Sequence, residues 1–398
     1  MTACAAEQPR EAPEATAVMA GLDVLLRDGA PALEGRRLGL ITNHTGIDRG
    51  GTLGIDRLHA DERFDLVALF SPEHSITGRV EAGEHVDSGR DTRTGLPIHS
   101  LYGETRKPTP EMLADVDALL FDIQDIGTRY YTYVWTMALA LQAAAENDRE
   151  LIVLDRPNPI GGELVHGNVQ DSAHLTFVGL YPVPMRHGMT PGELARYLNE
   201  EHAINARLTV IPVEGWRRSM WFEDTGLPWV APSPNMPSVE SATHYAGTCL
   251  FEGTGVSVGR GTDAAFSQIG APWIDADSLA ARLARHEIPG VRFEPVTFTP
   301  ENPGDGKYGG TAVHGVRLVT TDRTVYDPAR AGMAALVEIR ALYPDSLTFR
   351  ESHFDRLAGT TRVREQLLRG ESVDGITANW PDQRAPFMAA RERYLLYP

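Results

Sequence analysis

The sequence predicts an α/β protein with a Rossmann-like, parallel-sheet N-terminal domain and a smaller α+β C-terminal domain. Three observations support this prediction. The chain has 398 residues, more than one ordinary hydrophobic core accommodates. Short apolar runs alternate with helical patterns over the first 165 residues, which is typical of parallel sheets covered on both faces. The later part of the chain combines helical patterns with long stretches rich in Gly and Pro.

The predicted N-terminal domain covers residues 20–165. Five apolar runs within it are the expected strands, and each is stopped by polar or turn-forming residues. They span residues 37–42, 66–70, 97–102, 118–123 and 151–154. Apolar residues at helical spacing also predict an amphipathic helix before the fifth strand. Its apolar face consists of Tyr131, Val134, Trp135, Ala138 and Leu139.

Residues 166–398 are expected to form the second domain. Thr190 and Glu193 are spaced as a capping box, with Pro191 at the first helical position between them. A strand is expected at residues 208–211, and a further helix after Asp327. The stretch 216–261 is dense in Gly, Pro, Trp and Asn, which favours long ordered loops that serve binding.

Charge and motif content exclude several classes of function. The net charge of −17 argues against DNA or RNA as a partner, because phosphate binding requires clustered Lys and Arg. The sequence has no apolar run of about 18 residues, so no transmembrane segment is expected. It also lacks a dinucleotide-binding G-x-G-x-x-G turn, a P-loop and a serine-hydrolase elbow. No cofactor is expected, which leaves carboxylate chemistry or a bound metal.

The two cysteines have different expected roles. Cys249 lies in an apolar stretch and is expected to be a buried small hydrophobe. Residues 1–4, Met-Thr-Ala-Cys, are similar to the end of a bacterial lipobox, in which a small residue precedes the lipidated cysteine. Residues 1–19 are rich in Ala, Glu and Pro, which favours a disordered tether. A lipid anchor at Cys4 requires that a signal peptide was removed, and the alternative is that Met1 is a plain start.

Polar residues follow four of the five expected strands. In an open α/β sheet, ligands bind at the carboxyl ends of the strands, so these side chains are expected to meet at one edge. Each of them alone could be a cap or turn residue, but together they predict a site. The group comprises Asn43, His44, Glu73, His74, Asp122, Gln124, Asp125, Asp155, Arg156 and Asn158.

A series of ordered motifs runs from about Gly21 to Tyr397. They lie at residues 71–74 (Ser-Pro-Glu-His), 94–97, 100–103, 121–127, 154–159, 187–190, 232–235, 251–254, 259–262 and 270–275. With these motifs the chain resembles the exo-β-N-acetylmuramidases of the NamZ (YbbC-like) family. Ser75 departs from the family pattern, which usually has Gly after Pro-Glu-His, so the backbone beside Glu73 has less conformational freedom.

The resemblance implies an exo-acting glycoside hydrolase whose active site lies in a cleft that the second domain, residues 166–398, completes. No metal is expected in this site. The enzyme would remove N-acetylmuramic acid from the non-reducing ends of peptidoglycan fragments, and its place would be the cell envelope, either periplasmic or extracellular. Glu73 matches the glutamate of the family's Pro-Glu-His motif and is the expected general acid/base. Asp122, Asp125 and Glu252 are candidates for the second catalytic group, and the substrate's own 2-acetamido group is another.

N-acetylmuramic acid carries a lactyl carboxylate, which a bidentate Arg recognises well. Arg79, Arg129 and Arg156 lie in or beside the strand-end motifs and are the expected readers of this group. Tyr130 and Tyr131 are candidates for stacking on the sugar ring, although both could equally belong to a helix core. The other expected substrate contacts are Asn43, His44, His74, Gln124, Asn158, His187 and Asn235.

Two other functions stay open at this point. A metal-dependent hydrolase could draw ligands from the same edge, although no tight spacing such as H-E-x-x-H supports it. Its candidate ligands are His44, Glu73, His74, Asp122, Asp125 and His187. A periplasmic sugar-binding protein would also fit a tether and a cleft, but it has no need for Glu73. Chelator challenge tests the first alternative, and turnover of a chromogenic glycoside tests the second.

Overall fold

The larger of the sheets is mostly parallel and supports the candidate site. A computed structural model describes residues 17–398, and within that range this sheet has seven strands. In spatial order they are β3 (Gly89–Arg90), β4 (Pro97–Ser100), β2 (Asp65–Ser71), β1 (Arg37–Thr42), β5 (Ala118–Asp122), β6 (Glu150–Leu154) and β9 (Arg207–Ile211). The strand order reverses between β1 and β5, and such a switch point is where an open α/β sheet binds its ligand.

The five strands predicted from apolar runs are confirmed to within two residues. β1 pairs in parallel with β2 on one side and with β5 on the other. All five residues of β5 are buried, because helices cover both faces of the sheet. The edge strand β3 is too short to produce an apolar run, and it pairs antiparallel to β4.

The strand expected at residues 208–211 joins this same sheet. β9 pairs in parallel with β6, although it lies in the stretch that the sequence assigned to the second domain. The helix before it, α4 (Pro191–Glu201), begins with the predicted capping box. The Thr190 hydroxyl accepts from the Glu193 amide at 3.2 Å, and the Glu193 carboxylate accepts from the Thr190 amide at 3.1 Å. The sheet and its covering helices therefore continue to at least residue 211.

The helices of this layer lie on opposite faces of the sheet. α1 (Gly21–Asp28) and α2 (Gly54–Ala60) share one apolar cluster with the sheet, whereas α3 (Tyr133–Glu146) and α4 pack in another. The prediction that α3 is amphipathic was wrong. Ten of its fourteen residues are buried, and Leu139, which was expected on the apolar face, is only half-buried. A helix that is apolar nearly all round is surrounded by protein, and its many Ala residues permit close packing.

The second sheet is antiparallel and smaller. Its strands are β10 (Gln268–Ala271), β12 (Val313–Thr320) and β11 (Val291–Phe298), and a separate hairpin pairs β7 (His166–Val169) with β8 (Pro184–Arg186). The helices of this part are α5 (Val239–Thr248), α6 (Ala276–Ala284), α7 (Pro328–Leu342), α8 (Glu351–Ala358), α9 (Arg362–Leu368), α10 (Val373–Thr377) and α11 (Trp380–Arg391). α7 begins after Asp327, as predicted. The fold class predicted from the sequence is confirmed.

The two parts share one hydrophobic core. A single cluster of buried side chains runs from Ile41 and Phe121 of the large sheet to Ile269 of the small one and Trp380 of α11. A smaller cluster joins the two ends of the described chain, where Val18 and Tyr397 pack with Trp216. Within residues 17–398 no helix has the length and apolar character needed to cross a membrane.

Candidate active site

A cavity of about 360 Å³ opens at the carboxyl edge of the large sheet. One wall comes from segments that follow β2, β4 and β5, and it includes Glu73, Tyr102 and Thr132. The opposite wall comes from the C-terminal part, with residues of α5, of the 3-10 turn Cys249–Gly253 and of α8. Residues from both parts of the chain therefore line the space.

Glu73 lies in the cavity wall, and 7% of the residue surface is exposed. Both of its carboxylate oxygens accept hydrogen bonds. The Gly83 amide donates to Oε1 at 2.9 Å, and the Thr132 hydroxyl donates to Oε2 at 2.5 Å. The next two residues, His74 and Ser75, have φ values of 67° and 65°. Ser75 thus occupies a left-handed conformation that favours Gly, which gives its departure from the family pattern a structural consequence.

Two aromatic rings and a guanidinium line the wall beside Glu73. Tyr102 follows β4, and burial together with the neighbouring Glu73 charge raises the pKa of its hydroxyl. The Arg106 guanidinium lies over the Tyr102 ring at 5.0 Å and over the Phe177 ring at 4.6 Å. This corner of the cavity combines a carboxylate, a phenol and a cation.

Glu252 faces the cavity from the C-terminal part. Its carboxylate pairs with Arg260 at 2.6 Å. Burial alone would raise the pKa of Glu252, but the charges of Arg260 and Lys307 outweigh burial and hold it below its usual value. Lys307 donates to the carbonyls of Phe251 and Val256, and burial lowers its pKa to about 8. Glu252 is therefore an ionised group at neutral pH.

The floor of the cavity is aromatic. Tyr130, Tyr131 and Tyr245 line it, and Tyr245 meets the other two rings edge-on with centroids 6.1 and 6.0 Å away. Tyr130 donates to the Ala246 carbonyl at 3.3 Å. Burial raises the pKa of each of these phenols, so they stay neutral. Flat apolar surfaces with a few polar atoms suit a pyranose ring.

The other two candidate carboxylates do not line the cavity. Asp122 is fully buried and pairs with Arg156 at 2.6 Å, and Arg156 also donates to the Ile47 carbonyl. Asp125 accepts from the Gly127 amide at 2.7 Å, and within residues 17–398 its other oxygen has no hydrogen-bond partner. Burial raises the pKa of Asp125 to about 7. Asp122 and Asp125 were expected in the site with Glu73, but the structure places both outside the cavity.

None of the three expected arginine readers lines the cavity. Arg79 is exposed outside it, and Arg156 is occupied by Asp122. Arg129 is buried and donates to the carbonyls of Asn168, Val183 and Leu357 at 2.9–3.1 Å. The arginines that do line the cavity are Arg106, Arg260, Arg350 and Arg356.

The remaining predicted contacts divide between the cavity and the framework below it. His74 lines the cavity and donates from Nδ1 to the Val80 carbonyl at 2.7 Å. Asn235 donates to the cavity residue Glu81 at 3.2 Å. The others bond to the protein itself, which is the ordinary use of loop Asn, Gln and His. Their hydrogen bonds join Asn43 to Thr45, His44 to Ala231, Gln124 to Pro157, Asn158 to Met189 and His187 to Met189.

Sequence reasoning missed several residues of the cavity, although signals for some were present. Tyr102 lies in the 100–103 motif and Arg260 in the 259–262 motif, but neither follows a predicted strand directly. Thr132 lies just before α3, but the apolar spacing from Tyr131 onward placed it inside the predicted helix, so it was not considered as a site residue. Nothing in the sequence links Arg106 or Arg356 to Glu73, because their proximity arises only from the tertiary fold.

The candidate metal ligands do not form a metal site. In the part of the chain that the structure describes, no three His, Cys, Asp or Glu side chains converge as a metal ion requires. His44 and His187 each bond to backbone, and burial lowers the pKa of His187 to about 3.

The fold and the cavity together define a class of protein. It is a Rossmann-like α/β protein with a carboxylate- and aromatic-lined cavity at the carboxyl edge of its sheet, which an α+β part encloses from the other side. Comparison with known proteins narrows this class. Residues 38–240 match the N-terminal family model of exo-β-N-acetylmuramidase NamZ, and residues 243–397 match the C-terminal one. The chain belongs to the NamZ family.

Three relatives illustrate the similarity. A peptidoglycan β-N-acetylmuramidase NamZ of Bacillus subtilis (strain 168) is 46% identical over 381 residues, covering 96% of this chain and 91% of that protein. Two crystal structures of DUF1343 family proteins from Bacteroides fragilis NCTC 9343 share the fold. One has a TM-score of 0.89 at 38% identity and the other 0.78 at 33%, and each alignment covers 96% of this chain and 99% of the other.

Proposed function

We propose that this protein is an exo-acting glycoside hydrolase that releases N-acetylmuramic acid from the non-reducing ends of peptidoglycan fragments. The observation that carries the proposal is Glu73, a carboxylate held by two hydrogen bonds in the wall of a sugar-sized cavity. Family membership and the activity named for the Bacillus subtilis relative support the same reaction.

Glu73 is the general acid/base in this proposal. As the glycosidic bond breaks, the Glu73 carboxyl gives its proton to the departing oxygen, and positive charge develops on the sugar ring. The Gly83 amide and the Thr132 hydroxyl fix the direction of the carboxyl group. Water then attacks the sugar and returns a proton to Glu73.

Glu252 is the preferred second group among the three candidate carboxylates. It lines the cavity, whereas Asp122 and Asp125 do not. Arg260 and Lys307 keep Glu252 ionised, so it stabilises positive charge on the sugar or orients the 2-acetamido group and does not supply a proton.

The direct test is Glu73→Gln, which keeps the shape of the side chain and removes the acid. We expect kcat on a chromogenic N-acetylmuramic acid glycoside to fall by roughly 10²–10⁴-fold, since general acid catalysis is worth about that much. Glu34→Gln, on an exposed residue near the amino end of β1, is the matched control. Retention of more than about a tenth of the wild-type rate would exclude Glu73 as the acid. Binding of the sugar without turnover by the wild type would favour the sugar-binding alternative.

The proposed substrate implies a cell-envelope or extracellular location. A lipid anchor at Cys4 is a further part of this proposal, which the Met-Thr-Ala-Cys run supports. Cys4 lies outside the described residues. Mass spectrometry of the mature N-terminus from the native host tests the anchor. A diacylglycerol-modified Cys4 is expected, and an unmodified Met1 would contradict it.

A further inference from the structure

Among the cavity arginines of residues 17–398, Arg106 is the one with neither an ion pair nor a hydrogen-bond acceptor within the protein. It lies on the loop after β4, with its side chain exposed to the cavity and its guanidinium stacked on Tyr102 and Phe177. Among residues 17–398 it forms no ion pair. A guanidinium held by aromatic rings keeps its five donors available and its plane fixed.

The other cavity arginines are already engaged. Arg260 pairs with the Glu252 carboxylate at 2.6 Å. Arg350 donates to the backbone carbonyl of Glu252, and Arg356 donates to Nδ1 of His353. A substrate carboxylate would have to compete with these internal acceptors, whereas at Arg106 it would have none to displace.

Arg106 also stands at a suitable place relative to Glu73. Both groups line the same wall of the cavity as Tyr102, and the Arg106 guanidinium lies over the Tyr102 ring at 5.0 Å. The glycosidic oxygen of N-acetylmuramic acid is on C1, and the lactyl ether is on C3, two positions along the same ring. One bound sugar therefore presents its glycosidic oxygen and its lactyl carboxylate to different side chains of one cavity, and Glu73 and Arg106 both line that cavity.

We propose that Arg106 binds the lactyl carboxylate and so selects N-acetylmuramic acid over N-acetylglucosamine. This inference rests on the proposed function and replaces Arg79, Arg129 and Arg156 as the expected readers. Stacking on Tyr102 and Phe177 orients the guanidinium before substrate arrives, which reduces the entropy lost on binding. The strongly acidic protein thus places a cation with no internal acceptor in the cavity that receives the anionic substrate group.

The test is a double-mutant-type cycle, in which the Arg106 side chain and the lactyl carboxylate of the substrate are each changed separately and together. Wild type, Arg106→Gln and Arg106→Lys are compared on a chromogenic N-acetylmuramic acid glycoside and on its lactyl methyl ester, which lacks the charge. We expect wild type to prefer the acid by about ten- to a hundredfold in kcat/KM, the range of a charge-assisted hydrogen bond. Arg106→Gln should lose that preference while its rate on the ester stays within about threefold of wild type. Arg106→Lys should retain part of the preference, because a point charge lacks the fork.

Arg63→Lys is the matched control, since Arg63 also stacks on an aromatic ring, Phe64 at 5.3 Å, but does not line the cavity. Equal losses on both substrates in Arg106→Gln would indicate a structural role and overturn the inference, as would an unchanged preference. If wild type hydrolyses neither glycoside, the proposed function fails by itself. Calorimetric binding of free N-acetylmuramic acid and N-acetylglucosamine to wild type and Arg106→Gln then decides the role of Arg106 without turnover.

Discussion

At the scale of single residues, the Thr132 hydroxyl has a defined part in the proposed catalysis. It donates to Glu73 Oε2 at 2.5 Å from the position just before α3. Thr132→Val keeps the shape and removes the donor. We expect kcat to fall about tenfold with KM little changed, since a hydrogen bond to the carboxylate that forms as Glu73 gives up its proton is worth about 1.5 kcal/mol.

Steady-state kinetics on the N-acetylmuramic acid glycoside check this expectation. Thr132→Ser keeps the hydroxyl and should recover most of the rate, which a purely structural role for the methyl group does not predict. A Ser variant as slow as the Val variant would show that packing at Thr132 matters and the hydrogen bond does not.

Asp125 gives a prediction about pH. Burial raises its folded pKa to about 7 from a usual value of 3.8. Between these values the folded protein holds a proton that the unfolded chain has released, so the free energy of unfolding falls as the pH rises from about 4 to about 7. The contribution is at most about 4 kcal/mol. Asp125→Asn removes this titration and should therefore gain stability relative to wild type as the pH rises.

Urea unfolding of wild type and Asp125→Asn at pH 4.5 and 8 measures the difference. The variant should lie close to wild type at the lower pH and above it at the higher pH. Asp382→Asn, on an exposed carboxylate, is the control for a general charge effect. A difference between wild type and Asp125→Asn that does not change with pH would contradict the raised pKa.

The sequence did not predict which arginines line the cavity. Arg156 comes two residues after β6 and Arg129 lies in the loop after β5, and the same kind of position placed Glu73 in the cavity wall. Position along the chain does not reveal whether a side chain turns toward the ligand or toward buried carbonyls. Arg129 donates to buried carbonyls, whereas Arg106, at a similar distance along the chain from its strand, lines the cavity.

At the scale of elements, apolar runs predicted the strands well because parallel strands are buried on both faces and need no special spacing. The helix α3 was harder to describe. Its apolar residues recur at helical spacing, but spacing alone does not show that the opposite face, rich in Ala, is also covered. The place of β9 depended on strand pairing with β6, which the local sequence does not encode.

The turn after β5 depends on Gly127. Its φ is +80°, its amide donates to Asp125, and a Cβ there would collide with the Asn158 side chain. Gly127→Ala is expected to cost roughly 2–4 kcal/mol, from left-handed strain and overpacking together. The loss should appear as a lower midpoint in thermal or urea unfolding.

Gly95→Ala separates the two costs. Gly95 has a similar φ of +73°, but a Cβ added at this position would have no neighbouring atom within 4 Å, so the strain alone should cost about 1–2 kcal/mol. Equal destabilisation by the two variants would mean that the contact with Asn158 relaxes freely.

At the scale of the whole molecule, Arg129 connects the parts that enclose the cavity. Its guanidinium donates to Asn168 and Val183 on one side and to Leu357, at the end of α8, on the other. α8 in turn carries His353 and Arg356 into the cavity. One buried side chain thus holds the C-terminal wall against the segment that follows β5.

Arg129→Lys is expected to destabilise the protein by roughly 2–4 kcal/mol, because a single ammonium leaves several buried carbonyls without donors. Urea unfolding measures the loss. Arg129→Lys should not change substrate specificity, because Arg129 does not line the cavity. The folded enzyme should keep its preference in kcat/KM for N-acetylmuramic acid over N-acetylglucosamine. Loss of that preference at unchanged stability would restore Arg129 as the reader of the lactyl group.

The two ends of the described chain lie close together, because one apolar cluster contains residues from both. The elements could therefore be connected in a different order along the chain while the fold stays the same. Val18 and Tyr397 share this cluster, and Met19 forms a bridge with Glu214 nearby. A short linker can therefore close the chain, and new ends can be opened at the exposed turn around Gly370, between α9 and α10. We expect such a circular permutant to fold and to keep the complete cavity. It would carry both termini to a different surface, where a fusion partner or a support could be attached.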